Sequence, residues 1–393
     1  MGAEVRGEIS LFVASLYVFV LISGFFGGGT LIYLAPRFPT KALLLISYAW
    51  ALLVSLIFVP FLFIWPGLPE PQLIFWIVSS LLFNLTAVNR YLMIGLKRIK
   101  DDNLLGIGVN LFQLLFLLSF VFWGKQQDLQ VFVNAFILAW ILIFLLSFWP
   151  LRESLKAKPS IVPWGDLVVS MFSLGFVAQI TNLAQFIGYR IQYYMIDVQL
   201  NKQAVGVFST AVSLTEAIWM ISQSISLVQL SHIANLQDTT EASSLSLRWM
   251  KVSLILSLLA ILALLTLPGT LYKQLFGIEF GDLYSIILRL SPGILMLAGS
   301  NILAHYFAGK GQLRDNLIAS CITLVLVTLS SYFLLSREGL NGAAWSSSIA
   351  YTGAAIWLVW RFQSGEQKPL KEWLPSVNDY KEIRTKLKAY VRD

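Results

Sequence analysis

The sequence predicts an all-α integral membrane protein, built as two pseudo-symmetric helical lobes with about eleven transmembrane helices. Three observations predict it. Hydrophobic residues make up 57% of the 393-residue chain and charged residues only 12%, about half the charged share of a soluble domain. The apolar residues come in long runs, and about 18 or more suffice to cross a ~30 Å hydrocarbon core as a helix. Lys and Arg collect in alternate connecting segments, as the positive-inside rule requires. Helices satisfy their own backbone hydrogen bonds, which is what permits such runs to sit in lipid.

In chain order the expected spans are 9–36, 42–65, 73–96, 104–123, 131–149, 167–198, 204–233, 250–270, 283–308, 315–335 and 342–361. The longest connections are 150–166 and 234–249, too short for an extramembrane domain. Placing Arg37 to Lys41 in the cytoplasm and alternating puts twenty of the 28 basic residues inside, counting the tail from Arg361. Arg6, Lys125, Lys202, Lys273 and Arg337 fall outside, and Arg90, Arg190 and Arg289 fall within spans. Most of the +7 net charge is therefore topology, with the N-terminus outside and the C-terminus inside. Nucleic acid is not an expected partner, because there is no soluble basic domain to bind it. The tail offers Tyr380, Ile383, Leu387 and Val391 at helical spacing among lysines and arginines. It reads as a basic amphipathic helix on the cytoplasmic membrane surface or as a solvated tail.

An internal repeat is legible. Gly7-Glu8-Ile9-Ser10 opens the first span and Gly206-Val207-Phe208-Ser209 the seventh. Arg90-Tyr91-Leu92, Gly95, Lys97 and Asp102-Asn103 are echoed by His305-Tyr306-Phe307, Gly309, Lys310 and Asp315-Asn316. Spans one to five then pair with seven to eleven, and span six has no partner. The expected organisation is an N-terminal lobe over 1–150 with five helices, a C-terminal lobe over 151–361 with six, and a cytoplasmic tail over 362–393. This is a twelve-helix plan in which the first helix is lacking. Transporters are often built from two such repeats with the substrate site between them.

Intramembrane charge marks candidate functional residues, since each ionised side chain in lipid costs at least ~2.5–3.5 kcal/mol. Of 21 acids only Glu216 lies deep in a span. Arg190 lies on the preceding, antiparallel span, and the two differ in depth by only ~6 Å at ~1.5 Å rise per residue. Their side chains can meet, either as a coupling or substrate-contact pair or as an ion pair locking two helices. Arg289 precedes Ser291-Pro292-Gly293, where proline kinks a helix; it can contact a phosphate or sugar, or snorkel outward. Arg90 lies within two turns of the cytoplasmic end, where snorkelling is the simpler reading, and His305 reads as a helix-end residue. Asn182, Gln185 and Tyr189 share one stripe of span six, facing either a polar ligand or a neighbouring helix. Gln185, Arg190 and Gln192 cannot all share one narrow face. The cluster Gly24, Gly27, Gly28 and Gly29 permits close packing or a bend.

Several chemistries are excluded. Cys321 is the one cysteine, and His232 and His305 alone do not make a metal site. Gly309-Lys310-Gly311 lacks phosphate-loop spacing. No Ser/His/Asp set or acidic cluster stands at a membrane surface, so no enzyme activity and no cofactor are expected.

The stretches Tyr189-Arg-Ile-Gln-Tyr-Tyr-Met-Ile196 and Val205-Gly-Val-Phe-Ser-Thr-Ala-Val-Ser-Leu-Thr-Glu-Ala-Ile-Trp219 resemble polysaccharide flippases. These belong to the multidrug/oligosaccharidyl-lipid/polysaccharide exporter superfamily. Phe276-Gly-Ile-Glu-Phe280, Leu290-Ser-Pro-Gly293 and Gly339-Leu-Asn-Gly-Ala-Ala344 extend the resemblance. It implies two six-helix lobes around a cavity that opens alternately to either side of a prokaryotic cytoplasmic membrane. It implies as substrate an undecaprenyl-diphosphate-linked oligosaccharide, the O-antigen or exopolysaccharide repeat unit, moved to the outer leaflet. Membrane lipids, a polysaccharide polymerase and glycosyltransferases are the implied partners. Arg190 matches the arginine of that family's Arg-x-Asp pattern, but Gln192 stands where the aspartate would be, so this sequence lacks the acid to which that pattern's ion coupling is assigned. Glu216 and Trp219 match its Glu-x-x-Trp. Residues Gly2 to Gly7 look like the loop after the family's first helix. The candidate substrate-binding or coupling set is thus Arg190, Glu216, Arg289, Gln185, Asn182 and Arg90. A drug or metabolite exporter of the same fold needs a mid-membrane carboxylate before residue 150, and none is visible. A polymerase or ligase would need a long outer loop with paired charges, and the longest outer one, 270–283, is short.

Overall fold

The computed structural model describes residues 2–57, 73–124, 128–156, 164–233 and 239–373. Among them the chain is helical, with short turns between helices. Helix α1 (Ala3–Ser23) leads through a 3₁₀ turn (Gly24–Phe26) into α2 (Gly28–Leu34). There follow α3 (Thr40–Ile57), α4 (Leu73–Gly95), α5 (Ile99–Gly124), α6 (Leu129–Lys156), α7 (Trp164–Gln199) and α8 (Lys202–Ile233). Next come α9 (Thr239–Leu265), the short α10 (Gly269–Phe276), a 3₁₀ turn (Ile278–Phe280) and α11 (Leu283–Gly309). Helices α12 (Leu313–Glu338), α13 (Leu340–Glu366) and α14 (Leu370–Trp373) complete the described chain. The basic helix expected at 378–392 lies outside the described residues, as does the end of the second expected span.

Each of the eleven expected spans falls on a long helix, taking α1 and α2 as one. Among the described residues nine of these helices are both long and apolar enough to cross a membrane. Helices α7 and α13 carry amides and hydroxyls along their length. Those groups bond neighbouring helices: Ser347 of α13 donates to Gln192 Oε1 of α7 at 2.5 Å. Helix α9 starts at Thr239, well before the expected 250. The hydroxyl-rich first turns that lower its hydropathy are turned inward, with Ser243 and Ser246 fully buried. The expected outer loop 270–283 is mostly α10 and its 3₁₀ turn.

The chain forms two compact units, one comprising Glu8–Leu183 and the other Gly2–Gly7 with the chain from Ala184 onward. The division falls inside α7, whereas the sequence reading divides the lobes at residue 150. Within the first unit, α4 is the hub: α2, α3, α5 and α6 all pack on it. Its Asn89 accepts from the Tyr48 hydroxyl of α3 and donates to Ser147 of α6, each at 2.7 Å. Within the second unit α11 is the hub, packed by α8, α9, α12 and α13. Its Asn301 donates to Ser222 and Ser226 of α8 at 3.3 and 3.1 Å. The two hubs occupy corresponding positions in the repeat, and corresponding neighbours surround them.

The glycine cluster does both things expected of it. Gly28 adopts a positive φ of 54° at the break between α1 and α2. A Cβ on Gly24 or Gly28 would lie 2.6–2.7 Å from the Gln179 amide, so that amide of α7 fills the glycine notch. Pro292 lies inside the continuous helix α11, and Ser348 of α13 packs beside it. The Gly293 N–H donates to Ser348 Oγ at 3.1 Å, and Ser348 Oγ donates to the Arg289 carbonyl at 2.5 Å. A hydroxyl thus stands inside the helix ladder between a donor and an acceptor that would otherwise pair. A Cβ on Gly293 would lie 2.5 Å from the Ser348 Cα, so only glycine permits this approach.

Removing that hydroxyl deletes the hydrogen bonds that tie α13 to α11 at this point, at about 0.5–1.5 kcal/mol each. Ser348→Ala is therefore expected to lower the thermal unfolding midpoint of the detergent-purified protein. Gly293→Val is expected to lower it further, because the added side chain forces α11 and α13 apart; equal midpoints for wild type and Gly293→Val would contradict this packing.

Candidate functional site

Helices α7 and α8 are joined through Leu200 and Asn201 alone, so they run antiparallel. That register sets Arg190 opposite Glu216. The guanidinium grips the carboxylate with two parallel bonds, Nη1 to Oε1 at 2.7 Å and Nη2 to Oε2 at 3.0 Å. Bidentate pairs of this kind are the strongest of charge-assisted hydrogen bonds. Arg190 Nη1 also donates to the Tyr193 hydroxyl at 3.2 Å, and its guanidinium lies 5.3 Å from the Tyr193 ring centre.

Aromatic rings flank this pair. Tyr189 packs edge-on against Trp219 of α8 at 6.0 Å and against Tyr351 of α13 at 5.4 Å. Gln185 Nε2 donates to the Tyr189 hydroxyl at 3.1 Å, which ties the α7 stripe to the same group. Arg6, assigned to topology by the sequence, donates to Ser213 Oγ at 3.4 Å, one turn from Glu216 on α8. A second guanidinium therefore stands on the helix face that carries the acid. The side chains of Arg190 and Glu216 keep 23% and 28% of their exposure. The pair is part-buried rather than sealed. Intramembrane charges of this sort face a bundle interior or a water-filled cavity rather than lipid.

The six candidate residues are divided between the two units. Arg190, Glu216 and Gln185 come together in the second unit. Arg289, in the same unit, folds back one turn along α11, donating to the Ser285 carbonyl at 3.0 Å and hydroxyl at 2.6 Å. Ser285 lies one turn nearer the N-terminal end of α11. The Arg289 Nε is buried without a hydrogen-bond partner. Asn182 belongs to the first unit; it is exposed, and it donates to Gln179 at 3.5 Å. Arg90 also lies in the first unit, where it pairs with Asp102 at 2.6 Å while its side chain keeps 32% of its exposure. Its echo in the repeat differs: Asp315 takes Arg361 at 2.9 Å, and His305 Nδ1 lies 2.9 Å from the Asn301 carbonyl.

Gln192, two residues after Arg190, turns to the opposite side of α7. Its amide donates to Ser331 at 2.9 Å and to the Ala343 carbonyl at 2.7 Å, while its oxygen accepts from Ser347. It is buried and spends its hydrogen bonds joining α7, α12 and α13. Tyr193 and Tyr351 were missed by sequence reasoning. Tyr193 lies one turn from Arg190, a spacing that can be read from sequence. Tyr351 comes from a helix remote in the chain, and no local signal marks it. In the register that aligns Gly7 with Gly206, Glu216 corresponds to Tyr17, which packs edge-on against Phe83 at 5.2 Å. The charged site therefore belongs to one repeat alone.

No family model matches the chain. Over 262 residues it is 22% identical to "Capsular polysaccharide biosynthesis protein CapF" of Staphylococcus aureus. That match covers 64% of this chain and 65% of the relative, just under two thirds of the relative's length. Among solved structures it is similar to the inward-facing conformation of a multidrug resistance MATE family transporter of the MOP superfamily. There the TM-score is 0.75 at 16% identity, over 93% of this chain and 92% of that one. A MOP superfamily transporter from Pyrococcus furiosus, described by the reverse polarity of its binding pocket, gives 0.64 at 14% identity over 93% and 95%. The fold is MATE-like. At these identities the likeness concerns fold alone, and it agrees with the two-repeat architecture described above.

Paired charges couple energetically. Glu216→Gln and Arg190→Gln are each expected to destabilise the purified protein. In a double-mutant cycle the loss from both together should fall short of the summed single losses by about 0.5–3 kcal/mol. Additive losses would mean that the two side chains do not interact.

Proposed function

We propose that the chain is a flippase for oligosaccharides linked to undecaprenyl diphosphate, moving them from the cytoplasmic to the outer leaflet by alternating access. The observation that carries this reading is the accessible Arg190–Glu216 pair among Tyr189, Tyr193, Trp219 and Tyr351. A guanidinium is the natural partner of a diphosphate, which it can hold through paired hydrogen bonds. Aromatic faces suit the apolar faces of sugar rings. Glu216 keeps Arg190 oriented when no substrate is bound, and a diphosphate would compete with it for the same donors. Arg6 supplies a second cation beside the site. The MATE-like fold supports an exporter, and the named role of the staphylococcal relative supports polysaccharide biosynthesis. The reading is non-enzymatic and places the protein in a prokaryotic cytoplasmic membrane, with its C-terminus inside. The lobes of this mechanism are the two repeats.

The multidrug transporters among the structural neighbours favour a second reading, an ion-coupled drug or metabolite exporter. Against it, among the described residues of the first unit, acidic side chains lie near helix ends or between helices. In the second unit the mid-helix acid is already neutralised by an arginine. A cationic drug would find no spare negative charge there.

Reconstitution into vesicles with fluorescent lipid-linked oligosaccharide tests the proposal. Arg190→Ala and Glu216→Ala are each expected to slow flipping by roughly tenfold or more, equivalent to about 1.4 kcal/mol of lost stabilisation. Wild-type rates in both variants would show that the site is not the substrate site. Extrusion of cationic dyes with no glycolipid movement would favour the second reading.

A further inference from the structure

The two glycines that open the repeats meet each other. A Cβ on Gly7 would lie 1.8 Å from the Lys202 carbonyl oxygen and 3.0 Å from the Gly206 nitrogen. A Cβ on Gly206 would lie 1.7 Å from the Ala3 carbonyl oxygen and 2.9 Å from the Gly7 nitrogen. The contact is reciprocal: each glycine receives the carbonyl that stands one helical turn before the other. Such a self-complementary contact is what a two-fold axis produces, here between repeats of one chain. With no side chain between them, the backbones of the first turns of α1 and α8 touch directly. Approach this close brings glycine Cα–H groups against carbonyl oxygens.

Two further contacts hold the same turn. The Ala3 N–H, one of the unpaired donors at the start of α1, donates to Glu279 Oε2 at 2.7 Å. Arg6 reaches Ser213 on α8. Ala3 is fully buried as a result. By its contacts this turn belongs to the second unit, yet from Glu8 onward the same helix belongs to the first. A helix that changes allegiance after one turn is held there by that turn.

We propose that residues Ala3 to Gly7 form a releasable latch on α8, docked by the reciprocal glycine contact and the Glu279 cap, which opens and closes during transport. This rests on the flippase reading for its purpose, because alternating access requires corresponding helices of the two repeats to part at one stage. The latch lies at the end that the distribution of basic residues places outside. Its interactions suit a contact that must re-form. Backbone packing needs no side-chain ordering, and the charged groups involved, Glu279 and Arg6, lie where water can hydrate them once the turn lifts.

The experiment uses the full chain in vesicles with Cys321→Ser, so that introduced thiols are the only ones. The first arm places a reporter at Ala3→Cys and follows labelling by a membrane-impermeant maleimide. Slow labelling is expected with both glycines present, and roughly tenfold faster labelling when Gly7→Val or Gly206→Val shifts the population toward the open state. Equal rates would overturn the latch. Size-exclusion profiles of the glycine variants separate opening from misfolding. The second arm joins Ala3→Cys to Glu279→Cys, the two ends of the cap at 2.7 Å and neither of them in the substrate site, with a short, reducible bifunctional thiosulfonate. Glycolipid flipping is expected to stop on bridging and to return on reduction, which a folding defect cannot imitate. Unchanged flipping by the bridged protein would overturn the proposal. The labelling arm contains no substrate. A wild-type chain that moves no glycolipid would therefore sink the flippase reading, while the labelling rates still decide whether the latch opens.

Discussion

The rest of the structure depends on a single constraint: polar groups placed among apolar helices must find partners on other helices. The hubs α4 and α11 show how it is met. Asn89 joins α4 to α3 and α6, and Asn301 joins α11 to α8. Gln192 does the same for α7, α12 and α13. Beside Pro292 in α11, Ser348 Oγ accepts from the Gly293 amide and donates to the Arg289 carbonyl, tying α13 to α11. These amides and hydroxyls decide which helix faces meet, because dispersion forces alone discriminate weakly among rows of Leu, Ile and Phe.

Symmetry carries through the framework and stops at the chemistry. Each repeat has a hub helix with the same neighbours, and each opens on a glycine that packs against its counterpart. Asp102 and Asp315 are both buried in the first turn of corresponding helices, although their arginine partners come from different places. The Arg190–Glu216 pair has no such twin, since Tyr17 stands where the second repeat has its acid. A polar framework tolerates duplication because every bond is closed within it.

Much of this was legible in the sequence. The helices, their order and the glycine correspondence follow from apolar runs and local spacing, and the depth argument for Arg190 and Glu216 follows from helical rise across a two-residue connection. Helix boundaries shifted where polar residues face inward, as in the first turns of α9, because hydropathy counts a hydroxyl as solvent-seeking even when a neighbouring helix satisfies it. Arg90 and Arg289 were readable as charges in spans, but their partners, Asp102 and Ser285, were not named. An arginine side chain can reach in several directions, and packing chooses among them.

The sequence by itself determined the all-helical membrane architecture, the two-repeat plan and the meeting of Arg190 with Glu216. All three are set by composition, by periodicity or by residues close in the chain. Only the tertiary structure decided that Tyr351 joins Tyr189 and Trp219, that Gln192 binds α12 and α13 while Arg190 turns to Glu216, and that Gly7 and Gly206 touch. Each of those outcomes depends on which face of a helix meets a partner distant in sequence, and apolar runs alone leave that choice open.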